Sequence, residues 1–193
     1  MKFRILHYQT LDSTNNLALF FAREGVREGT VIVSDYQTHG RGRFARQWIS
    51  PRGKGLLFSI VLRPNFKTSA APILTHLAAQ SVAEALKAVF NLSATLKKLN
   101  DVLIGGKKIA GILTESCGSH NHLEYVVVGV GLNVNSKRQE LGQNATSVYL
   151  EISEKAKLDL IFQHILSIFS AKYSELKDKN TNEQPGKKEA ISY

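Results

Sequence analysis

The segment YVVVGVGLNVN, residues Tyr125 to Asn135, is rich in β-branched side chains. Branching at Cβ favours an extended backbone, so this segment predicts a strand. A glycine inside a strand indicates that a ligand or another backbone approaches the chain closely. Gly129 and Gly131 therefore predict a close approach within this strand.

A hairpin is predicted upstream of that strand. Strands are expected at Ala94 to Leu99, Val102 to Ile104 and Lys107 to Thr114, with Gly105-Gly106 as the tight turn between the last two. Side chains alternate along a strand, so Lys107 and Lys108 should point to opposite faces. One of these lysines can then enter a pocket while the other meets solvent.

The other elements follow from apolar spacing and capping residues. Strands are predicted at Phe3 to Tyr8, Thr30 to Tyr36 and Gly55 to Leu62, and helices after the caps Ser13 to Asn15, at Pro72 to Phe90 and at Leu158 to Leu176. The polar segment from Lys177 onward is expected to be flexible. The elements predict one α+β, or α/β, domain with a mixed, largely antiparallel sheet and helices packed on one side of it.

Composition narrows the class of protein. The 193 residues are 43% hydrophobic and 21% charged, which is ordinary for a soluble domain. No stretch approaches the roughly 20 apolar residues of a membrane helix, and the N-terminal residues lack the pattern of an export signal. Cys117, the single cysteine, excludes an internal disulfide and a zinc site of several thiolates. A cytoplasmic location is expected.

The net charge of +9 is concentrated in two short segments. Residues 37–54 contain five basic residues and no acid, and residues 97–108 contain four lysines and one acid. Tight basic clusters beside glycines favour a pocket for a compact anion, such as a nucleotide phosphate, over a surface that coats a polyanion. Ordinary solvated loops remain the alternative.

The loop GRGRFARQW, Gly40 to Trp48, has the composition of an anion clamp. Gly40 and Gly42 permit positive φ and allow backbone N–H groups to approach a ligand. Arg41, Arg43 and Arg46 supply planar donors for carboxylate or phosphate oxygens. RNA-binding segments also interleave arginine and glycine, so a basic RNA-binding module stays open as a different class of function.

Neutral and acidic side chains indicate what kind of ligand the predicted pocket could bind. Ser13, Thr14, Asn15 and Gln37 are hydrogen-bonding groups near the loop in the predicted fold, which suggests recognition of a neutral polar ligand head. Asp101 follows a strand beside lysines, where a carboxylate could position a metal ion or an incoming amine. An ordinary aspartate in a turn is the competing interpretation.

Six short segments occur in order between residues 12 and 147. They are DSTN at Asp12 to Asn15, GRGRFARQW at Gly40 to Trp48, KKLND at Lys97 to Asp101, GKKIAGIL at Gly106 to Leu113, GVGLNVN at Gly129 to Asn135 and ATS at Ala145 to Ser147. In this order they resemble the motifs of the bacterial biotin protein ligases. Two positions depart from that pattern: Ala45 replaces a glycine and so loses backbone freedom, and Lys98-Leu99 replace Trp-Pro, which alters either local packing or a docking surface.

The resemblance implies a class II aminoacyl-tRNA synthetase/biotin synthetase-like fold. It implies a biotin/lipoate ligase catalytic domain at residues 1–176, a flexible tail at 177–193 and no N-terminal DNA-binding domain. The activity it implies is ATP-dependent: biotin and ATP, with Mg²⁺, form biotinyl-5′-AMP, and the biotin is transferred to a lysine of the biotin carboxyl carrier domain of a carboxylase. Neither DNA nor a membrane is an expected partner. A homodimer is compatible with the family, with exposed strand edges such as 125–128 as its contact.

The resemblance also assigns roles to residues. Biotin would be bound by Ser13, Thr14, Asn15, Gln37, Gly40, Arg41, Gly42, Arg43, Lys108 and Gly111. The nucleotide would be bound by Arg43, Arg46, Trp48, Asn100, Lys108 and Asn133, with Trp48 stacking on adenine. The catalytic residues would be Lys108, Arg43 and Asp101: Lys108 holds the biotin carboxylate and the α-phosphate together, and Asp101 positions the acceptor amine or Mg²⁺. The loop is expected to be mobile when empty and ordered by ligand.

The nearest alternative is a lipoate or octanoate ligase or transferase of the same superfamily. The acyl chains of those substrates carry no ureido group, so the Ser, Thr and Gln side chains would have no partner on them. A transferase would need a reactive thiol, whereas Cys117 is expected to be an inert small side chain near a strand end.

Overall fold

The computed structural model describes residues 1–98 and 100–182, which form seven strands, four α-helices and two short 3₁₀ helices. The strands are β1 (Arg4–Tyr8), β2 (Thr30–Ser34), β3 (Gly55–Leu62), β4 (Thr95–Lys97), β5 (Asp101–Ile104), β6 (Lys107–Ser119) and β7 (His122–Asn133). The α-helices are α1 (Thr14–Arg23), α2 (Ala71–Phe90), α3 (Val148–Ile152) and α4 (Leu158–Asn182). The 3₁₀ helices are Thr68–Ala70 and Arg138–Glu140.

All seven strands belong to one sheet, in the order β1-β2-β3-β7-β6-β5-β4. Only the β1–β2 pair is parallel, so the predicted mixed, largely antiparallel sheet is confirmed. β7 is a central strand, paired with β3 on one side and β6 on the other. The expectation that residues 125–128 form an exposed edge is therefore wrong, because Val126 pairs with Leu62 and with Ser116.

β6 and β7 form a second hairpin, which was not predicted, because β6 extends beyond its predicted end and β7 begins before its predicted start. β6 continues to Ser119 and β7 begins at His122, and the turn residues His120 and Asn121 have φ values of 48° and 62°. The distal end of β6 is exposed and polar. Apolar periodicity could not extend the strand prediction there, because residues 116–119 are all exposed and show no alternation of buried and exposed positions. The predicted turn at Gly105-Gly106 is confirmed, with both φ values positive.

One face of the sheet is covered by α2 and α4. These two helices pack on each other and on alternate residues of the central strands, including Phe58, Val128 and Val130. Phe58 contacts Phe162 of α4 edge to face, with ring centroids 5.1 Å apart. The main hydrophobic core therefore lies between the sheet and these two helices. We call this side the helix face.

On the opposite face, α1 is the one described α-helix that packs on the sheet, and it covers part of that face. Ala18 and Ala22 of α1 pack with Ile32, Val61 and Val127 in a second, smaller core. The prediction that helices lie on one side of the sheet is therefore wrong. Both alanines are small and fully buried, so α1 lies close to the strands, and the neighbouring part of this face is not covered by a described helix. We call this side the cleft face.

Helix α4 runs six residues past its predicted end, to Asn182. Glu28 accepts hydrogen bonds from Tyr173 Oη at 2.6 Å and Lys177 Nζ at 3.0 Å. The first residues of the predicted flexible tail are thus helical and tied to the domain, and residues 183–193 lie outside the described residues. None of the described helices has the length and apolar character needed to cross a bilayer.

Candidate active site

A strip without side chains lies at the centre of the cleft face. Alternation along β7 turns Val128 and Val130 towards the long helices and Gly129 and Gly131 towards the cleft. Gly131 pairs directly with Gly111 of β6. The paired glycines form a flat floor that other groups can approach closely.

The close approach predicted at the β7 glycines is confirmed, but side chains make it. A Cβ atom on Gly129 would lie 2.0 Å from Asn15 Oδ1, and one on Gly131 would lie 2.4 Å from Trp48 Cε2. Since heavy atoms cannot approach to these distances, both positions require glycine while Asn15 and Trp48 keep their places. Asn15 belongs to α1 and Trp48 to the Gly40 to Trp48 loop, so β7 is where the helix and the loop meet.

The indole of Trp48 lies across the two paired glycines. A Cβ atom on Gly111 would lie 3.1 Å from Trp48 Cζ3, and Lys108 Nζ lies 5.6 Å from the centroid of the Trp48 ring. At that distance the ammonium group is attracted to the face of the ring. The predicted aromatic and the predicted site lysine are therefore neighbours.

Two buried polar atoms of the predicted nucleotide-binding residues lack a hydrogen-bond partner within the described residues. They are Trp48 Nε1 and Asn133 Oδ1. The amide of Asn133 is otherwise anchored, because its Nδ2 donates to the carbonyl of Thr146 at 3.0 Å. Buried polar groups are nearly always paired in folded proteins, so the unpaired N–H of Trp48, which lines the cleft, is available to a ligand.

Lys108 is held by its backbone and by an ion pair. Its N–H donates to Asn144 O at 2.9 Å, and its carbonyl accepts from Thr146 N at 2.8 Å. Its Nζ lies 2.6 Å from Asp101 Oδ1. The prediction that the two adjacent lysines face opposite ways is confirmed, since Lys107 is exposed and Lys108 lines the cleft. The segment that contains Thr146 thus positions the strand that carries Lys108.

A polar corner lies at the α1 end of the cleft. The N–H and the hydroxyl of Thr14 both donate to Gln37 Oε1, at 2.7 and 3.0 Å. Ser59 Oγ donates to Asn15 Oδ1 at 2.6 Å and lies 2.8 Å from Thr14 Oγ1. Asn15 Nδ2 in turn donates to the carbonyl of Leu113 at 3.2 Å. Most of the hydrogen-bonding capacity of Asn15 is therefore used within the protein, so this residue belongs to the frame of the corner.

The segment Gly40 to Trp48, here called the arginine loop, folds into a small hairpin. Gly42 N–H donates to Arg46 O at 2.7 Å, and Arg46 N–H donates to Arg43 O at 3.2 Å. Phe44 and Ala45 have φ values of 56° and 57°, the combination that a type I′ turn requires. This is a costly conformation for residues with a Cβ atom.

The predicted use of positive φ at Gly40 and Gly42 is wrong. Among the described residues, the left-handed positions of the arginine loop are Phe44 and Ala45. Gly40 is required for another reason: a Cβ atom there would lie 2.3 Å from the backbone oxygen of Trp48. The two ends of the loop lie side by side at this point, where Trp48 N–H donates to Gly40 O at 2.9 Å, and this contact closes the base of the loop.

The three arginines of the loop take different positions. Arg43 Nη1 donates to Asn100 Oδ1 at 2.9 Å and so spans the cleft. Arg41 turns to Glu115 on β6, with Nη2 and Oε1 separated by 2.6 Å. Arg46 lies in the adjoining surface cleft with Phe44, outside the central cleft.

Most of the predicted site residues line a single cleft, which they share with apolar residues of β6 and β7. The predicted residues that line it are Ser13, Thr14, Asn15, Gln37, Arg41, Gly42, Arg43, Trp48, Asn100, Lys108 and Gly111. Gly40, Arg46, Asp101 and Asn133 lie around this set rather than in its lining. Within residues 1–98 and 100–182, no group of three or more His, Cys, Asp or Glu side chains could hold a metal ion.

Two polar residues of the site were not predicted from the sequence. Ser59 is the single hydroxyl in the buried strand GLLFSIVL, and an isolated polar residue in such a strand could have indicated a buried network. Glu115 lies four residues beyond Gly111 on β6 and therefore on the same face of the sheet. Neither signal identifies the partner residue, since Arg41 and Glu115 are 74 residues apart in the chain.

Comparison with protein families gives a match to the model of the biotin/lipoate A/B protein ligase family over residues 6–133. The bifunctional ligase/repressor BirA of Bacillus subtilis is 37% identical over 175 residues, covering 89% of this chain and 54% of the relative. A biotin–acetyl-CoA-carboxylase ligase of Paracoccus denitrificans is 40% identical over 125 residues, covering 64% of this chain and 51% of the relative. The chain thus spans about half the length of these curated relatives.

Comparison with solved structures gives the same family. The biotin protein ligase from Aquifex aeolicus, in complex with biotin and ATP, superposes with a TM-score of 0.78 at 30% identity. The match covers 91% of this chain and 72% of that one. Together with the sheet topology, it confirms the expected class II aminoacyl-tRNA synthetase/biotin synthetase-like fold.

Proposed function

We propose that this chain, which belongs to the biotin/lipoate A/B protein ligase family, joins biotin to ATP as biotinyl-5′-AMP and then transfers the biotin to a lysine of a carrier domain. One observation carries the proposal: a polar corner, a lysine and an unpaired indole N–H lie together on the glycine floor of one cleft. These groups suit an acid with a polar head, its activated carboxylate and a nucleotide, in that order.

The polar corner favours biotin over a plain acyl chain. The ureido ring of biotin has one carbonyl acceptor and two N–H donors. Gln37 Oε1 is engaged by Thr14, which leaves the Gln37 amide Nε2 as a donor, and the buried Ser13 hydroxyl lines the same corner. A lipoyl or octanoyl chain would leave these groups unpaired, and burying unpaired polar groups costs binding energy.

Lys108 supplies the electrostatic part of the first step. A carboxylate oxygen of biotin attacks the α-phosphorus of MgATP, the bond to the β-phosphate oxygen breaks, and pyrophosphate leaves. Two anions must meet in this step, and an ammonium group between them offsets their repulsion. Arg43, which spans the cleft, would neutralise further phosphate charge.

Asp101 gains a more specific role from its contacts. Its Oδ1 accepts from Lys108 Nζ at 2.6 Å and from Asn100 Nδ2 at 3.0 Å. We propose that Asp101 orients Lys108 and, in the second step, positions the acceptor amine as that amine attacks the acyl carbon and AMP leaves. As a Mg²⁺ ligand, Asp101 would have to share its carboxylate with Lys108.

The acceptor we propose is the biotin carboxyl carrier domain of a carboxylase, in the cytoplasm. Relatives of this chain are named as ligases that act on acetyl-CoA carboxylase, which supports this class of acceptor. A single cysteine in the chain agrees with a reducing compartment.

The test is exchange of labelled pyrophosphate into ATP with biotin, lipoate, octanoate or no acid, followed by mass analysis of a carrier domain. We expect biotin-dependent exchange and one biotinyl group on lysine. Exchange supported only by lipoate or octanoate would reassign the substrate. Absence of exchange, together with salt-sensitive RNA binding, would favour the RNA-binding alternative.

A matched pair of lysine variants locates the chemistry. Lys108→Gln should reduce biotin-dependent exchange by about 100-fold or more, because it removes a cation from the charge-developing centre. Lys107→Gln, at the adjacent exposed position, should leave exchange within about twofold of the unchanged protein. Equal effects of the two substitutions would contradict the assignment.

A further inference from the structure

We propose that Glu115 is a positioning residue that holds the arginine loop over the cleft, an inference that rests on the proposed function. It does so through a bidentate ion pair with Arg41, here called the grip. Glu115 lies on β6 beyond the glycine floor and is not part of the lining of the cleft. It therefore acts through Arg41 and Asn15 rather than by touching the ligand.

The grip on Arg41 has two points of contact. Arg41 Nη2 donates to Glu115 Oε1 at 2.6 Å, and Arg41 Nη1 donates to Glu115 Oε2 at 3.1 Å. Two parallel bonds between a guanidinium and a carboxylate fix orientation as well as distance. Arg41 Nη1 also donates to Asn16 Oδ1 at 2.8 Å, which ties the same side chain to α1.

Glu115 is itself located by a buried network. Its Oε2 accepts from Asn15 Nδ2 at 2.9 Å. Asn15 is 4% exposed, and its side chain lies against Gly129 and accepts from the fully buried Ser59. The network continues to Thr14 and so reaches the polar corner. Arg41 is thus connected to the same framework that shapes the binding site for the acid.

The charge distribution gives the grip its physical purpose. Residues 37–54 contain five basic residues and no acid, so the arginine loop carries unbalanced positive charge. Glu115 supplies the opposite charge from another part of the fold and engages Arg41. This leaves Arg43 to face an anion across the cleft.

The grip also opposes a tendency of the loop to open. The type I′ turn at Phe44 and Ala45 places two residues with Cβ atoms in the left-handed region, which disfavours the closed hairpin. The closed state then depends on contacts outside the turn. Among the described contacts of the loop arginines, the pair with Glu115 is the one between opposite charges.

The test variant is Glu115→Gln, which keeps the shape and an acceptor for Asn15 but removes the charge. In the absence of substrate, trypsin should cleave the loop after Arg43 and Arg46 about fivefold faster than in the unchanged protein, since the charged bidentate contact is lost. Release of preformed biotinyl-5′-AMP should also accelerate about fivefold, with the midpoint of urea unfolding nearly unchanged.

The matched control is Glu84→Gln. Glu84 forms an ion pair with Lys172 at 2.8 Å between α2 and α4, on the helix face, so its loss should change neither loop cleavage nor ligand release. The double variant Arg41→Gln/Glu115→Gln should release biotinyl-5′-AMP no faster than the more affected single variant. Additive effects of the two substitutions, unchanged loop cleavage in Glu115→Gln, or an equal response in Glu84→Gln would each overturn the proposal.

The outcome is separable from that of the proposed function. If the unchanged protein shows no biotin-dependent exchange, the proposed function fails, whereas loop cleavage still reports on the grip. If exchange is normal and Glu115→Gln resembles the unchanged protein in cleavage and release, the inference about Glu115 fails and the proposed function stands.

Discussion

The two faces of the sheet are made by the same strands and have opposite characters. On β3, Phe58 packs against α4 while its neighbour Ser59 hydrogen-bonds to the α1 network. On β7, Val130 belongs to the main core while its neighbour Gly131 supports the indole of the cleft. Side-chain alternation thus assigns stability to one face and chemistry to the other. Substitutions one residue apart should therefore separate the two properties.

The largest effect is expected from Phe58→Ala on the helix face. Removing a fully buried ring that packs on Phe162 should lower the free energy of unfolding by about 3 to 5 kcal/mol, because the sheet cannot close around the cavity. Urea unfolding measures this loss. Pyrophosphate exchange per folded molecule should remain within a few-fold, and a selective loss of exchange would break the comparison.

The next largest effect is expected on β7, where valines pack against the helices and glycines face the cleft. Gly131→Ala should reduce exchange about 100-fold, because the new Cβ atom displaces Trp48 from the floor of the cleft. Val128→Ala, at a β7 position that packs in the main core and does not line the cleft, should instead lower the free energy of unfolding by about 1 to 3 kcal/mol and leave exchange nearly intact. Kinetics and urea unfolding on both variants give the comparison, which fails if the two variants lose the same property.

Ser59→Ala should sharpen the comparison, because it is a buried substitution with an effect on the site. Loss of its hydroxyl leaves Asn15 Oδ1 without a donor. This should lower the free energy of unfolding by about 1 to 3 kcal/mol and raise the KM for biotin. The control is Ser81→Ala on α2, where the hydroxyl donates back to Leu77 O within the helix. In that variant the free energy of unfolding should fall by less than about 1 kcal/mol, and the KM for biotin should not change. A KM that is unchanged in Ser59→Ala would detach Ser59 from the site.

Ala45→Gly should act in the opposite direction. Glycine adopts the left-handed region without the Cβ penalty, so the closed arginine loop should gain about 1 kcal/mol, which corresponds to about fivefold slower release of biotinyl-5′-AMP. Ala83→Gly within α2 is the control and should instead destabilise the protein by about 1 kcal/mol. Release that is unchanged or faster in Ala45→Gly would contradict the strain assigned to this turn.

The smallest effect is expected in the pH dependence of stability, through Glu28, whose carboxylate contacts α4. Burial alone would raise the pKa of Glu28, but hydrogen bonds from Tyr173, the Arg63 N–H and Lys177 outweigh it and lower that pKa. The ionised carboxylate therefore stabilises the fold above the ordinary pKa of glutamate, and the contribution is lost as pH falls through the lowered value. Glu28→Gln should be less stable at neutral pH, and the difference should shrink on acidification. Urea unfolding across pH checks the sign.

The sequence predicted what depends on local pattern. Strand and helix positions, the Gly105-Gly106 turn and the opposite orientations of Lys107 and Lys108 all follow from spacing and backbone preference. The resemblance of the ordered sequence motifs to a known family predicted most of the residues that line the cleft. The type I′ geometry at Phe44-Ala45 was missed because neither residue is typical of a left-handed position.

The missed features depend on contacts between distant segments. The face chosen by α1, the central place of residues 125–128 and the pairing of Arg41 with Glu115 are set by which strands become neighbours. Local composition carries no record of that choice. Ser59 and Glu115 show the same limit, because a polar residue in a strand signals a partner without identifying it.

The direct pairing of Gly111 with Gly131 makes the register of one hairpin a condition for both the packed core and the geometry of the cleft. A slip of one residue between β6 and β7 would send the side chains of the shifted strand to the wrong face. Valines would then occupy the seat of Trp48, and glycines would open holes beneath α2 and α4. A one-residue slip would therefore remove the packed core and the cleft together, so the activity that we propose should also report on the correct register of this hairpin.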